Sequence, residues 1–370
     1  MSIYREIDGL RYTMEKLHES GEKDQFPHAK GNLIESFKYI EEYMNANCHP
    51  NTTVGAAANG DGLLTDHGVD HVKMVIENEA KLVGDMQYRK LNGYEIYLLL
   101  LATHFHDIGN IRGRQEHEKQ IDDIIAKLGN HFPLDAPEKM IVSDIAMSHG
   151  GYVDETHTDK DTLRLLKPID NCNGIIIRPA LLGALLRFAD ELSDDNTRSS
   201  RYMDDANAIP PDNRIYHAYS SALSPIAYSG NTIVFKYYIP FEQVQNRIPD
   251  ADGTFLYDEI IRRLGKCMLE LEYCSKYSEG FIRVTTLSAE INVMHPVTVH
   301  RPVHSTKFSL RLSGYPETFK IPNGLLDFKT GEALSEYSIA KLEKDKKDEE
   351  KDKQEKKEKK KEKKKRGKKS

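Results

Sequence analysis

Residues 94–110 read YEIYLLLLATHFHDIGN. From Ile96 to Ala102 every side chain is apolar or aromatic, about two turns of a buried helix. The run then delivers His104, His106 and Asp107 within four residues. Burying a carboxylate beside imidazoles is costly unless something compensates for it. A bound metal is the usual compensation; a helix end opening onto solvent is the plain alternative.

Around that stretch the chain is 370 residues long, room for two domains or one large one with extensions. It has no apolar run of about 18 residues, so no membrane span is expected. Its N-terminus, MSIYREIDGLRYTMEKL, has no basic start followed by an apolar stretch, so it does not read as a signal peptide. The four cysteines are scattered without a CxxC pair, which argues against a zinc ribbon or disulfide framework and fits a reducing cytoplasm. The net charge of −6 hides an asymmetry: residues 341–370 carry 17 Lys/Arg against 9 Asp/Glu, net +8, leaving −14 for the rest. An acidic body is not the footprint of a duplex-binding domain, whereas it suits a site built from carboxylates that need cations.

The expected class is mainly α: an all-helical domain, a smaller α+β region and a charged tail. We read 1–60 as a helical extension and loop, 61–204 as the helical domain, 205–335 as the α+β region and 336–370 as the tail. Apolar positions Leu33, Ile34, Phe37, Ile40 and Met44 make a helical stripe, and 48–62, rich in Gly, Asn, Pro and Thr, reads as a loop. Helices are expected over 66–86, 92–107, 114–128, 136–148, 160–167, 178–193 and 253–278. Strands are expected in NTIVFKYYIP, GFIRVTTLSAEINVM and HSTKFSLRLS. The Lys/Glu tail has no apolar residue after Leu342 and reads as solvated, disordered or transiently helical, either a solubilising tail or a tether for RNA, anionic lipid or an acidic partner.

Segments far apart in sequence deliver metal-type ligands near helix ends. His67 and His71, four apart, share a helical face. His106 and Asp107 are adjacent, Asp190 ends the apolar run LLRFAD, and His117 and His149 lie close to other helix ends. Imidazole with carboxylate suits Mn, Fe, Ni or Zn, with Mg also in range, as one or two ions. An HExxH zincin is excluded, because Gly68 stands where that motif has its glutamate. Phosphate would need positive charge, and Arg112, Arg114, Arg187, Arg198 and Arg201 flank these segments, with Arg114 favoured.

The order H…HD…D, carried here by DHGVDHV, HDIG at 106–109 and ADELS at 189–193, resembles the HD superfamily of metal-dependent phosphohydrolases. The resemblance covers about 65–200 and looks closest to a bacterial branch sometimes fused to heat-shock-type ATPase domains; no GxxxxGK[ST] loop is present. It implies His71, His106, Asp107 and Asp190 as metal ligands, with His67 the alternative to His71. It implies His117 and His149 as second-metal ligands, substrate contacts or proton donors, and leaves His104 as a packed or surface histidine. The function so implied is hydrolysis of a phosphoester, foremost of a nucleotide, by a metal-activated water. The alternatives are a non-catalytic nucleotide or metal sensor and a metal-dependent nuclease using the basic tail. A homo-oligomer is left open.

Overall fold

The computed structural model describes residues 9–366 except 23, 29, 59–64, 66, 85–89, 129–130, 200–208, 249–252, 299–300 and 313–325; for 352 and 355–366 only the backbone is described. The fold is mainly α. In chain order the first helices are α1 (Gly9–Ser20), α2 (Leu33–Asn47), α3 (Thr52–Ala58), α4 (Val69–Val83), α5 (Gly93–Phe105), α6 (Ile121–Leu128), α7 (Ala136–Met147) and α8 (Pro179–Glu191). Helix α5 is the axis. All 13 of its residues are buried, the outcome for a helix that is apolar on every side. Its start is fixed by a capping box in which Asn92 and Glu95 satisfy each other's backbone N–H groups. Helices α1, α2, α4, α7 and α8 pack around it.

Several expectations are corrected here. The segment expected as a loop holds a 3₁₀ turn at His49–Asn51 and then α3. Tertiary packing overrides its poor propensity: Ala56 is fully buried, the Thr52 hydroxyl lies within hydrogen-bond distance of the carbonyls of His49 and His67, and a Cβ on Gly55 would sit 2.3 Å from the Ile111 carbonyl oxygen. The helix expected over 114–128 starts only at Ile121, after a 3₁₀ turn at His117–Gln120, because Gly113 and Glu116 take positive φ (117° and 50°). The helix expected over 160–167 is only a 3₁₀ turn, Thr162–Leu165. An antiparallel hairpin follows, β1 (Asp170–Cys172) with β2 (Ile175–Ile177). Its turn is Asn173–Gly174, both at positive φ, the pairing a two-residue hairpin turn favours.

The second half builds a sheet beside this bundle. Helix α9 (Pro211–Ala222) leads to β3 (Ala227–Ser229) and β4 (Thr232–Ile239); then come α10 (Phe241–Gln245) and α11 (Leu256–Tyr277), then β5 (Thr286–Met294) and β6 (Pro302–Arg311). The strand order is β3-β4-β5-β6, with β4 and β5 parallel and the other pairs antiparallel. A parallel pair needs a crossover, and α11 is its main element. Helix α11 packs on α8. The buried Arg187 guanidinium of α8 ties the two together, donating to both oxygens of Glu270 at 2.7 and 2.9 Å and to the Thr162 hydroxyl. All four cysteines are free and buried. The tail takes the helical form: α12 (Gly331–Arg366) buries Leu334 and Leu342 and has an exposed Lys353–Glu349 pair beyond them. Among the described residues no helix is long and apolar enough to cross a membrane.

Candidate metal centre and its cavity

Four helix ends converge on one point. His71 stands in the first turn of α4, His106 and Asp107 follow the last turn of α5, Asp190 is in the last turn of α8, and His149 follows α7. His117 comes from the 3₁₀ turn, brought in by a close crossing. The carbonyl oxygen of His117 would lie 1.8 Å from a Cβ on Gly109, so only glycine lets the two turns touch. Gly109→Ala is therefore expected to push the His117 turn away. The expected cost is about 1–3 kcal/mol of stability together with a lower content of divalent metal, read by denaturation and metal analysis. A full complement of metal with unchanged stability would sink this account.

The side chains form two triads, His71–His106–Asp190 and Asp107–His117–His149. In the first, His71 Nε2 is 3.3 Å from His106 Nε2 and 3.2 Å from Asp190 Oδ1. In the second, His117 Nε2 is 3.1 Å from His149 Nε2 and 3.2 Å from Asp107 Oδ1. The other Asp107 oxygen, Oδ2, faces the first triad, 3.4 Å from His71 and 3.3 Å from His106. One carboxylate thus joins both groups, an oxygen to each.

In three of the four rings the outer nitrogen decides which tautomer is presented; His71 Nδ1 has no partner among the described residues. His106 Nδ1–H donates to the Thr103 carbonyl and His149 Nδ1–H to the Ala146 carbonyl, both at 2.7 Å. His117 Nδ1 faces the Arg114 carbonyl at 3.2 Å and Glu118 Oε2 at 3.3 Å. With Nδ1 protonated on both, the His117 and His149 Nε2 lone pairs point at one another across 3.1 Å, which is repulsive unless a cation lies between them. The donor set fits divalent metal on that ground. In the bare protein a proton plays the cation's part. Burial opposes charge on His106, yet the Asp107 and Asp190 carboxylates hold its pKa well above the ordinary value. Burial likewise opposes charge on Asp107 and Asp190, and the imidazoles hold both well below the carboxylate range. Burial and the neighbouring His106 and His117 push His149 down to about 3.

The remaining expected residues divide. His67 lies beside His71, the rings tilted at 54° with centroids 5.6 Å apart, and its Nδ1 is at the Thr65 carbonyl; it lines the cavity and belongs to neither triad. His104 is buried against Phe37 and pairs with His49 Nε2 at 3.1 Å. Arg114 reaches Asn110 at 3.3 Å and Asp107 at 3.7 Å. Arg198 lines the cavity and donates to the Ser193 carbonyl. Arg112 does not join them: it pairs with Asp123 at 2.6 Å and lines a separate groove, because the 3₁₀ turn over 108–112 rotates it away. Arg187 is consumed by Glu270, and Arg201 lies outside the described residues. Two orienting residues carry no ligand-type signal in the sequence. Asn110 Nδ2 donates to Asp107 Oδ1 at 2.9 Å, and Glu118 braces His117. Asn110's place, three past Asp107 in a tight turn, is the one hint.

The centre opens into a cavity of about 670 Å³. Its far wall comes from the second half of the chain, with Asn213, Tyr216 and His217 of α9 and Arg262, Arg263 and Lys266 of α11. No curated protein matches the chain. A family model described as HD-CE matches residues 61–264, more than half of the 370, from ahead of His71 through all six ligand-type residues into α11. On that match the chain belongs to the HD-CE family and carries an HD-type domain with buried His/Asp clusters suited to a divalent metal.

Proposed function

We propose that the protein is a metal-dependent phosphohydrolase acting on a phosphoester of a small molecule, foremost a nucleotide. The observation that carries this is the sharing of Asp107 between two triads, with Asp107, His117, His149 and Asp190 lining one cavity. His71, His106, Asp190 and Asp107 Oδ2 would hold one ion; Asp107 Oδ1, His117 and His149 would hold a second. A divalent ion there supplies Lewis acidity, lowering the pKa of water and polarising a phosphoryl oxygen. The protein's own groups supply placement. Thr103, Ala146 and Glu118 hold the outer nitrogens of His106, His149 and His117, and Asn110 holds Asp107. Arg114, beside Asn110 and Asp107, is placed to fork two phosphate oxygens as charge builds on them. We place 61–204 as the body of the site and 205–335 as its far wall.

The test is product release from nucleoside mono-, di-, tri- and cyclic phosphates and short RNA and DNA, with Mn²⁺, Mg²⁺, Ni²⁺ or Zn²⁺. Metal-dependent release of phosphate or nucleotide from small substrates is expected. A protein that binds metal at both triads and turns over none of them would be a binding module. One that cleaves only polymers would be a nuclease, and its dependence on residues 341–370 would show in a tail deletion.

A further inference from the structure

Of the four rings in the centre, His71 is the one whose outer nitrogen is not held. His106 and His149 donate to backbone carbonyls, and His117 faces the Arg114 carbonyl and Glu118, whereas His71 Nδ1 has no partner among the described residues. A ligand ring without such a hydrogen bond takes its direction from the backbone that carries it. The aim of His71 is therefore set by where α4 lies against α8, the helix that carries Asp190. The spacing to be kept is short: His71 Nε2 stands 3.2 Å from Asp190 Oδ1 and 3.3 Å from His106 Nε2.

Two turns along α4 a polar chain crosses from that helix to the end of α8. Asn78 lies seven residues past His71, so the two share a side of the helix. Its Nδ2 donates to Ser193 Oγ at 3.0 Å, and its Oδ1 accepts from the Tyr228 hydroxyl at 3.0 Å. Ser193 stands two residues beyond the end of α8 and is tied back onto it: its hydroxyl donates to the Ala189 carbonyl at 2.7 Å and its N–H to the Asp190 carbonyl at 2.8 Å. The hydrogens fit one arrangement. The Ser193 hydroxyl gives its hydrogen to Ala189, whose carbonyl can only accept, so the Asn78 atom facing Ser193 is the amide nitrogen; Oδ1 then faces Tyr228, which donates. Asn78 and Ser193 are both buried, so a broken link would leave polar groups unpaired away from water. Tyr228 stands on β3, and Lys81 of α4 lies 5.3 Å over its ring, a second tie between that helix and the sheet.

We infer that Asn78 is a positioning residue for the metal centre: through Ser193 and Tyr228 it fixes α4 against the end of α8 and so sets His71 against Asp190. The sheet half of the chain then does more than wall the cavity, because the hydroxyl that completes the link comes from β3. This rests on the metal-binding part of the proposed function and is independent of turnover. Full-length protein freed of metal is titrated with Co²⁺, whose uptake gives affinity and whose visible absorption reports ligand geometry. Asn78→Ala should weaken the uptake of one Co²⁺ by about tenfold or more and shift the visible bands. Tyr228→Phe, which removes one hydroxyl and keeps the ring, should move both in the same direction by less. Val303→Ala, in the buried face of β6 at the opposite edge of the sheet, controls for lost stability. It should lower the melting temperature and keep the wild-type affinity and bands. Unchanged affinity and bands in Asn78→Ala overturn the inference, as does an equal loss in Val303→Ala, which would make the effect one of stability. Should Asn78→Ala fail to fold, wild-type affinity and bands in Tyr228→Phe overturn it alone. Wild-type protein that takes up no Co²⁺ sinks the hydrolase and this inference together. A protein that responds as stated but turns over no phosphoester sinks the hydrolase and keeps the inference.

Discussion

Asp107→Ala is expected to empty both metal positions and lower phosphoester turnover by at least about 10³-fold, while the far-ultraviolet circular dichroism stays that of the wild type. The size follows from geometry. Asp107 Oδ2 stands 3.3–3.4 Å from His106 and His71, and Oδ1 stands 3.2 Å from His117, so one truncation removes a donor from each triad. It also removes the carboxylate that most offsets the burial of His106, so that ring loses its main reason to carry charge. The surrounding helices do not depend on it: α5 is held by its own fully buried surface, and α8 by Arg187 and Glu270. A graded comparison separates this role from simple disruption. Asn110→Ala removes only the hydrogen bond to Asp107 Oδ1, and loss of an orienting partner of that kind costs about 10–100-fold in metal affinity or activity. If Asp107→Ala kept both metal and turnover, or matched Asn110→Ala, the shared-carboxylate account would fail.

How much of this could be read in the sequence depends on which kind of regularity each part uses. Helix α5 and the His106–Asp107 pair are legible because an apolar run that ends abruptly in ligand-type residues sets those residues at the end of a buried helix, where their charge needs a partner. Asp190 is legible for the same reason at the end of α8. The second triad is harder. His117 and His149 stand out only as histidines near helix ends, and what brings His117 in is a pair of left-handed residues and a glycine contact, Gly109 against the His117 carbonyl, with no period to detect. The hairpin at 170–177 is marked by Asn173–Gly174 and obscured by its three consecutive isoleucines, which also fit a buried helix. Arg112 lies apart from the cavity because spacing along a chain does not give direction around a 3₁₀ turn. The far wall is beyond reach. Periodicity in α11 shows which face is apolar, but not that the polar face with Arg262 and Lys266 confronts a centre about 150 residues earlier in the chain.

Glu79→Gln is expected to stabilise the protein at pH 8 and leave it nearly unchanged near pH 4.5. Glu79 lies on α4 two turns past His71, fully buried, with Oε1 2.7 Å from the Thr103 hydroxyl and no partner for Oε2 among the described residues. The Thr103 hydroxyl is also 2.9 Å from the Leu99 carbonyl, which can only accept. It has one hydrogen, so both contacts are satisfied at once only if Glu79 keeps its proton and donates to Thr103. Burial is the dominant cause and pushes Glu79 up to about 8, against the smaller opposing pulls of Thr103 and His106. An acid whose folded pKa lies above its unfolded value of about 4.5 contributes no penalty below 4.5. Between 4.5 and 8 the unfolded chain releases the proton and the folded chain retains it, so stability falls with pH by up to about 1.4 kcal/mol per unit. Glutamine keeps the shape and a donor for Thr103 and carries no proton to lose, so the difference between variant and wild type should grow to a few kcal/mol by pH 8. Denaturant unfolding of both proteins in EDTA at pH 4.5, 6 and 8 reads it. A difference that is flat with pH would mean that Glu79 is ionised when folded. The consequence for the metal centre is electrostatic: Thr103 supplies the carbonyl that holds His106, and a neutral Glu79 lets α4 and α5 lock together there without a third buried negative charge competing with Asp107 and Asp190 for the cation.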